Sequence, residues 1–131
     1  MYKRQQYGVV WFQPTADQVA LGARWFSCHL VVWDDAGLAP LTHPLPKLGK
    51  KIPDSVATCL TRSTKYTTCA DAHAWRASYS FYVTGKPTKR NADRAAARTC
   101  PRRVTSRAWL LSQHDVPGKR FVVVCYSKTK R

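Results

Sequence analysis

Five cysteines and four histidines are the side chains of this sequence with the most chemistry to offer. The cysteines stand at positions 28, 59, 69, 100 and 125, with no two in a Cys-x-x-Cys pair. The thioredoxin-type motif and the usual zinc knuckle are therefore both missing. Cys59, Cys69, His73 and Cys100 add up to four metal-capable groups. Only the Cys69-x-x-x-His73 spacing is permissive, and the set as a whole matches no common zinc site. No metal and no other cofactor is expected. Well-spaced cysteines of this kind read better as disulfides, which persist in oxidising compartments. An odd count leaves one thiol over. His73 reads as a residue packed or hydrogen-bonded where a strand begins.

Nucleophilic catalysis finds little support. Cys28 and His29 are adjacent, but neighbours on a strand point to opposite faces, which argues against a Cys–His pair. His43 and His114 fall in Pro-flanked or polar loops with no obvious partner. All seven acids are Asp and none is Glu, and several, such as Asp34, Asp35 and Asp115, sit in turns. Nothing nominates the two carboxylates that glycoside hydrolysis needs. No catalytic residue is expected, and the chain reads as non-enzymatic.

Charge is the other chemical feature. The 131 residues carry 22 Lys and Arg against the seven Asp, a net charge of +15. Residues 1–65 net +4 and residues 66–131 net +11. Between Lys86 and Arg107 lie eight Lys or Arg and one Asp, and Arg90, Arg94 and Arg98 recur at helical spacing. Such a field attracts polyanions and strengthens at low salt. Arg90, Arg94, Arg98, Arg102 and Arg103 are the anion-binding candidates. The bland reading of the three spaced arginines is a solvated helix face.

The elements that must position these groups are legible in outline. Residues 7–13 and 24–33 are rich in β-branched and aromatic side chains and read as strands. Between them Thr15 is a helix N-cap and Gly22 a stop. Residues 34–37 form a turn. Residues 38–55 hold four prolines and read as a Pro-rich linker or extended crossover. Residues 56–61 and 66–69 flank a polar turn, a hairpin stapled by Cys59 and Cys69. In residues 73–83, Trp75, Ala77, Tyr79, Phe81 and Val83 alternate with polar residues, the period of a half-buried strand. Residues 91–100 predict the main helix, with Ala92, Ala95, Ala96, Thr99 and Cys100 on one face. Residues 108–111 and 121–126 are strands, and the basic tail 127–131 is expected to fray. The five tryptophans are expected between sheet and helix. No apolar run approaches the ~20 residues that span a membrane. Residues 1–18 have no apolar core or cleavage site of a secretion signal.

An internal repeat runs through this pattern. The order Trp11, Pro14, Gly22, Arg24, Cys28 parallels Trp109, Ser112, Gly118, Arg120, Cys125, with 17 residues from tryptophan to cysteine in one and 16 in the other. The hairpin and the cysteine-bearing helix that precede the second copy have no counterpart before the first. The expectation is a clipped first repeat, with the partner of Cys28 in the missing part, the chain being a fragment or starting downstream of its true start.

The second copy, with Cys59, the run Thr67–His73, a helix ending in Cys100, Trp109, Gly118-Lys119-Arg120 and Cys125, resembles the septum formation domain of actinobacterial secreted and membrane-anchored proteins. The resemblance covers residues 56–128, and residues 7–32 as a truncated copy. Arg76 stands where the family often has glutamate. The resemblance implies an extracytoplasmic location, tandem domains behind an anchor, and pairing of Cys59 with Cys69 and of Cys100 with Cys125, leaving Cys28 unpaired. Those disulfides would close loops worth roughly 3 kcal/mol each by loop entropy.

The resulting expectation is an α+β chain, a small antiparallel sheet with one main helix per repeat, disulfide-stapled. Its parts are residues 1–37 (truncated repeat), 38–55 (linker) and 56–131 (complete repeat). The expected function is a binding or scaffolding module of the actinobacterial cell envelope, associated with septum or cell division. Its partners would be an anionic envelope polymer, a lipid surface or an envelope protein. The runner-up is a basic nucleic-acid-binding protein using the Arg90–Arg107 face, with Tyr79, Phe81 and Tyr82 beside it for stacking.

Overall fold

The computed structural model describes residues 4–41 and 44–129. His43 lies outside them. The chain forms two antiparallel sheets. The first has the order β1-β2-β3, with β1 at Tyr7–Phe12, β2 at Ser27–Asp34 and β3 at Gly37–Ala39. A short helix α1, Ala16–Ala20, lies between β1 and β2, and Thr15 and Gln18 cap it reciprocally. Gly37 makes the β2–β3 turn at φ +130°, a conformation side chains disfavour. The Asp34 carboxylate accepts from the Ala36 amide there at 2.8 Å.

The second sheet has the order β5-β4-β6-β8-β7. Its strands are β4 (Thr58–Leu60), β5 (Tyr66–Thr68), β6 (Trp75–Thr84), β7 (Trp109–Asp115) and β8 (Arg120–Lys128). The main helix α2 spans Lys89–Thr99, and a 3₁₀ turn follows at Cys100–Arg102. Thr88 caps α2 by accepting from the Asn91 amide. Pro101, lying in the 3₁₀ turn, cannot continue the α-helical ladder.

The centre of the molecule is β8. Phe121 to Ser127 are all buried, so this strand must be covered on both faces. On one face Phe121, Val123 and Cys125 pack with Ala92, Ala96 and Cys100 of the α2 region, walled by Tyr79, Phe81 and Trp109. On the other, Val122, Val124 and Tyr126 pack with Leu60 and Ala77, beside Trp75 and Leu110. The alanines matter because they let the helix backbone approach the sheet closely. Two disulfides close the arrangement, Cys59–Cys69 across the β4–β5 hairpin and Cys100–Cys125 between the end of α2 and β8. Cys28 is free and exposed.

A third cluster joins the two sheets. Val32 of β2 packs with Ile52, Val56, Ala57, Cys59 and Cys69, and with the partly buried Tyr7, Leu41 and Leu48. The segment before β1 stitches both sides. Gln6 donates to the Val56 carbonyl at 2.7 Å, and its own carbonyl accepts from the Trp33 amide at 3.0 Å. The Arg4 carbonyl accepts from the Thr58 amide at 2.9 Å.

Four expectations need correction. Residues 38–55 have no helix, as expected, but are not a free linker: they contain the end of β3, and Ile52 is 3% exposed in the joining cluster. Arg76 holds the segment down through Asp54 at 2.5 Å and the Ile52 carbonyl at 2.7 Å. The alternation of β6 is broken between Ala77 and Tyr79, where the register with β8 shifts. Tyr79, Phe81 and Val83 therefore face α2, while Trp75 and Ala77 face the other side. Of the tryptophans only Trp109 packs on the helix side; Trp11, Trp25 and Trp33 are each more than 40% exposed. The tail does not fray at Ser127. It is buried and bonded to Ser78, and the Thr129 amide donates to the Ala74 carbonyl. Residues 130–131 lie outside the described set.

The Cys100–Cys125 bond ties α2 to β8 and closes the larger of the two loops, with a sequence separation of 25 residues. Replacing both cysteines with alanine is expected to lower stability in urea by about 3 kcal/mol and to speed amide exchange across α2. An unchanged unfolding midpoint with α2 still protected would refute this account.

Candidate functional site

Two places gather polar chemistry. The first is the outer face of α2. Ala92 and Ala96 are buried against β8, so the helical period turns Arg90, Arg94 and Arg98 outward, and all three are exposed. Successive members are about 6 Å apart along the axis, from the rise per residue. The pair Lys89–Asp93, 2.6 Å apart, is the ion pair on this helix among the described residues; the three arginines take part in none. Arg102 is exposed on the 3₁₀ turn that follows. Arg103 is exposed too, but its guanidinium lies 4.6 Å over the Tyr79 ring. A guanidinium over a ring face at this distance makes a cation–π contact. Of the five candidate arginines, Arg90, Arg94 and Arg98 share the outer face of α2, Arg102 is exposed on the turn that follows, and Arg103 is set apart from them on the Tyr79 ring. The aromatic strand is not a stacking platform beside them. Tyr79 and Phe81 are packed under α2, and Tyr82 lies under Arg120, 4.4 Å away.

The second place was not legible as a site. A cleft of about 440 Å³ opens between the sheets, lined by Gln5, Gln6, Tyr7, Gly8 and Trp33 on one side and Thr58, Tyr66 and His114 on the other. His114, expected in a loop without a partner, is in β7. Its Nε2 lies 2.9 Å from Ser112 Oγ and 3.4 Å from the Tyr66 hydroxyl. Ser112 Oγ is also 3.0 Å from the buried Tyr126 hydroxyl. The result is a hydrogen-bonded chain in which Tyr66 and His114 line the cleft and His114 is backed by Ser112 and the buried Tyr126 hydroxyl. Burial pushes the Tyr126 phenol well above its ordinary pKa, with Tyr66 adding to the rise and Ser112 opposing it. Ser112 and His114 are two apart on one strand and share a face. The strand expected at 108–111 runs on to Asp115, and that extension is what pairs them.

The remaining candidates sort clearly. Cys59, Cys69 and Cys100 are in disulfides and cannot act as thiolate ligands. His73 Nδ1 is 2.7 Å from the Asp71 carbonyl, the hydrogen-bonded role expected of it. Cys28 pairs across the sheet with Trp11, and His29 with Val10, so the two side chains do take opposite faces. His29 instead meets Ser27 Oγ at 2.6 Å and the edge of Phe12. Among the described residues no helix is long and apolar enough to cross a membrane. Comparison with protein-family models, curated proteins and solved structures found no match.

The Tyr126 shift has a consequence for alkaline stability. Its phenol stays protonated in the folded state after the unfolded chain has begun to ionise, so unfolding releases a proton at high pH. Its contribution is complete below pH ~10 and declines above it, by at most about 1.4 kcal/mol per pH unit. Tyr126→Phe is expected to flatten the fall in stability above that pH, measured by rapid urea unfolding at pH 8 to 11. An identical slope in wild type and variant would count against a buried, protonated Tyr126.

Proposed function

We propose that this chain is a non-enzymatic, extracytoplasmic binding or scaffolding module of the actinobacterial cell envelope, akin to septum formation domains. It engages an anionic envelope polymer or lipid surface through the α2 ridge. The observation that carries this reading is the column Arg90, Arg94 and Arg98, solvated on a helix whose inner face is locked to the sheet. A rigid helix pays little ordering entropy when its guanidinium groups meet a repeating anion. Arg102 extends the ridge. The two disulfides favour an oxidising location. The resemblance over residues 56–128 supports the envelope and division context. The alternative, nucleic acid on the Arg90–Arg107 face, has the charge it needs but loses its stacking residues, since Tyr79 and Phe81 face the core.

The test is retention on sulfated dextran and on immobilised single-stranded DNA, with elution by salt. The triple reversal Arg90→Glu, Arg94→Glu, Arg98→Glu is expected to weaken binding to sulfated dextran by at least about tenfold at 0.1 M salt, with a shallower salt dependence. The control reversal Lys50→Glu, Lys51→Glu, Lys65→Glu changes net charge equally at exposed sites away from α2. Equal losses in both variants would reduce the effect to net charge and overturn the ridge. Tight, ridge-dependent binding to DNA with none to sulfated dextran would favour the alternative.

A further inference from the structure

The two strand pairs β1–β2 and β7–β8 carry the same face, covered in one and bare in the other. In β7–β8, Leu111 lies opposite Cys125, and Val123 precedes that cysteine by two residues. This face is closed by Ala92, Ala96 and Cys100, and Val123 and Cys125 are each 0% exposed. In β1–β2, Trp11 lies opposite Cys28, Val9 lies opposite Leu30, and Phe26 precedes the cysteine by two. The Trp11 and Phe26 rings touch, with centroids 5.8 Å apart, so Phe26 belongs to the same face. Here no described residue covers it: Val9 is 65%, Trp11 56%, Phe26 64% and Leu30 41% exposed. At its other end the face runs through Tyr7 and Val32 straight into the cluster that joins the sheets. Contiguous apolar surface of this kind marks an interaction site. The covered pair says what shape fits it.

We propose that the Val9, Trp11, Phe26 and Leu30 face docks a helix of α2 chemistry. That helix presents alanines four apart to the sheet and a cysteine one turn further on, placed to bond Cys28. The apolar face carries the recognition, and the thiol adds a covalent lock. The lock forms by thiol–disulfide exchange. The helix thiolate attacks the Cys28 sulfur of a Cys28–glutathione disulfide, a new S–S bond forms, and glutathione thiolate leaves with the electron pair of the broken bond. This surface is distinct from the arginine ridge and does not depend on it.

The experiment uses the full chain with Cys28 as its glutathione disulfide. It is equilibrated with a lactam-stapled helical peptide copying residues 88–103, and intact mass confirms that the two native disulfides persist. The control peptide has the same composition, with its cysteine in place and its alanines no longer on one face. The expected result is an exchange equilibrium constant at least tenfold larger for the α2 copy, with the preference lost in the surface variant Trp11→Ala, Leu30→Ala. Equal constants for the two peptides, or a preference that survives the variant, would overturn the proposal. Cys28–Cys28 dimers outcompeting the α2 copy would assign the face to a second molecule of this chain. Trp11-dependent binding to phosphatidylcholine vesicles without peptide preference would assign it to lipid.

Discussion

The burial of β8 on both faces is the constraint on which the rest of this structure depends. A strand with seven consecutive buried residues, Phe121 to Ser127, cannot sit at a surface. It needs β6 and β7 for its backbone, because unpaired buried amides and carbonyls are costly. It also needs apolar cover above and below. Alanine-faced α2 supplies one cover and the Leu60, Trp75 and Leu110 side the other. The Cys100–Cys125 bond fastens the helical cover to the strand it protects. The arginine ridge is the solvent side of the same helix, so its rigidity is inherited from β8.

The two sheets are joined by a separate apolar cluster and by backbone hydrogen bonds. The extended residues before β1 give their backbone to both sides, and Val32 anchors β2 in the cluster around Cys59 and Cys69. The disulfide in the hairpin therefore supports more than the hairpin, since its sulfurs form part of the surface on which the first sheet rests. The same juxtaposition leaves the cleft between Trp33 and His114 open. Away from this junction the described residues give the first sheet no cover of its own, and Trp11, Phe12 and Trp33 are each more than 40% exposed.

Apart from β3 and the second half of β7, the strands, the two helices and the hairpin turn were legible because each has a local cause. Thr15 and Thr88 cap helices, alanine spacing defines the inner face of α2, and β-branched runs define β2 and β8. Arg90, Arg94 and Arg98 emerged on the outer face because helical period alone puts them there. What failed did so for non-local reasons. The β6 alternation predicts a single face, but a register shift at Ser78 divides it between two clusters. Arg103 counts as a free cation by composition, but tertiary structure seats it on Tyr79. Trp11, Trp25 and Trp33 read as core by residue type and are not, since hydrophobicity says that a side chain gains by burial without saying what is present to bury it.

The sequence by itself determined most of the element order, the capped helices, the antiparallel sheet class, the presence of one thiol left over and the basic character of α2. These follow from backbone preference, periodicity and count, which act over a few residues. Only the tertiary structure decided that Ile52 anchors the largely exposed segment 44–55 in the cluster between the sheets, that Ser112, His114, Tyr66 and Tyr126 meet, and that one strand pair is covered while its counterpart is bare. Those outcomes depend on contacts between residues up to 60 apart. Chain closure over such distances is decided by the total fit of the packed surfaces, not by any local signal.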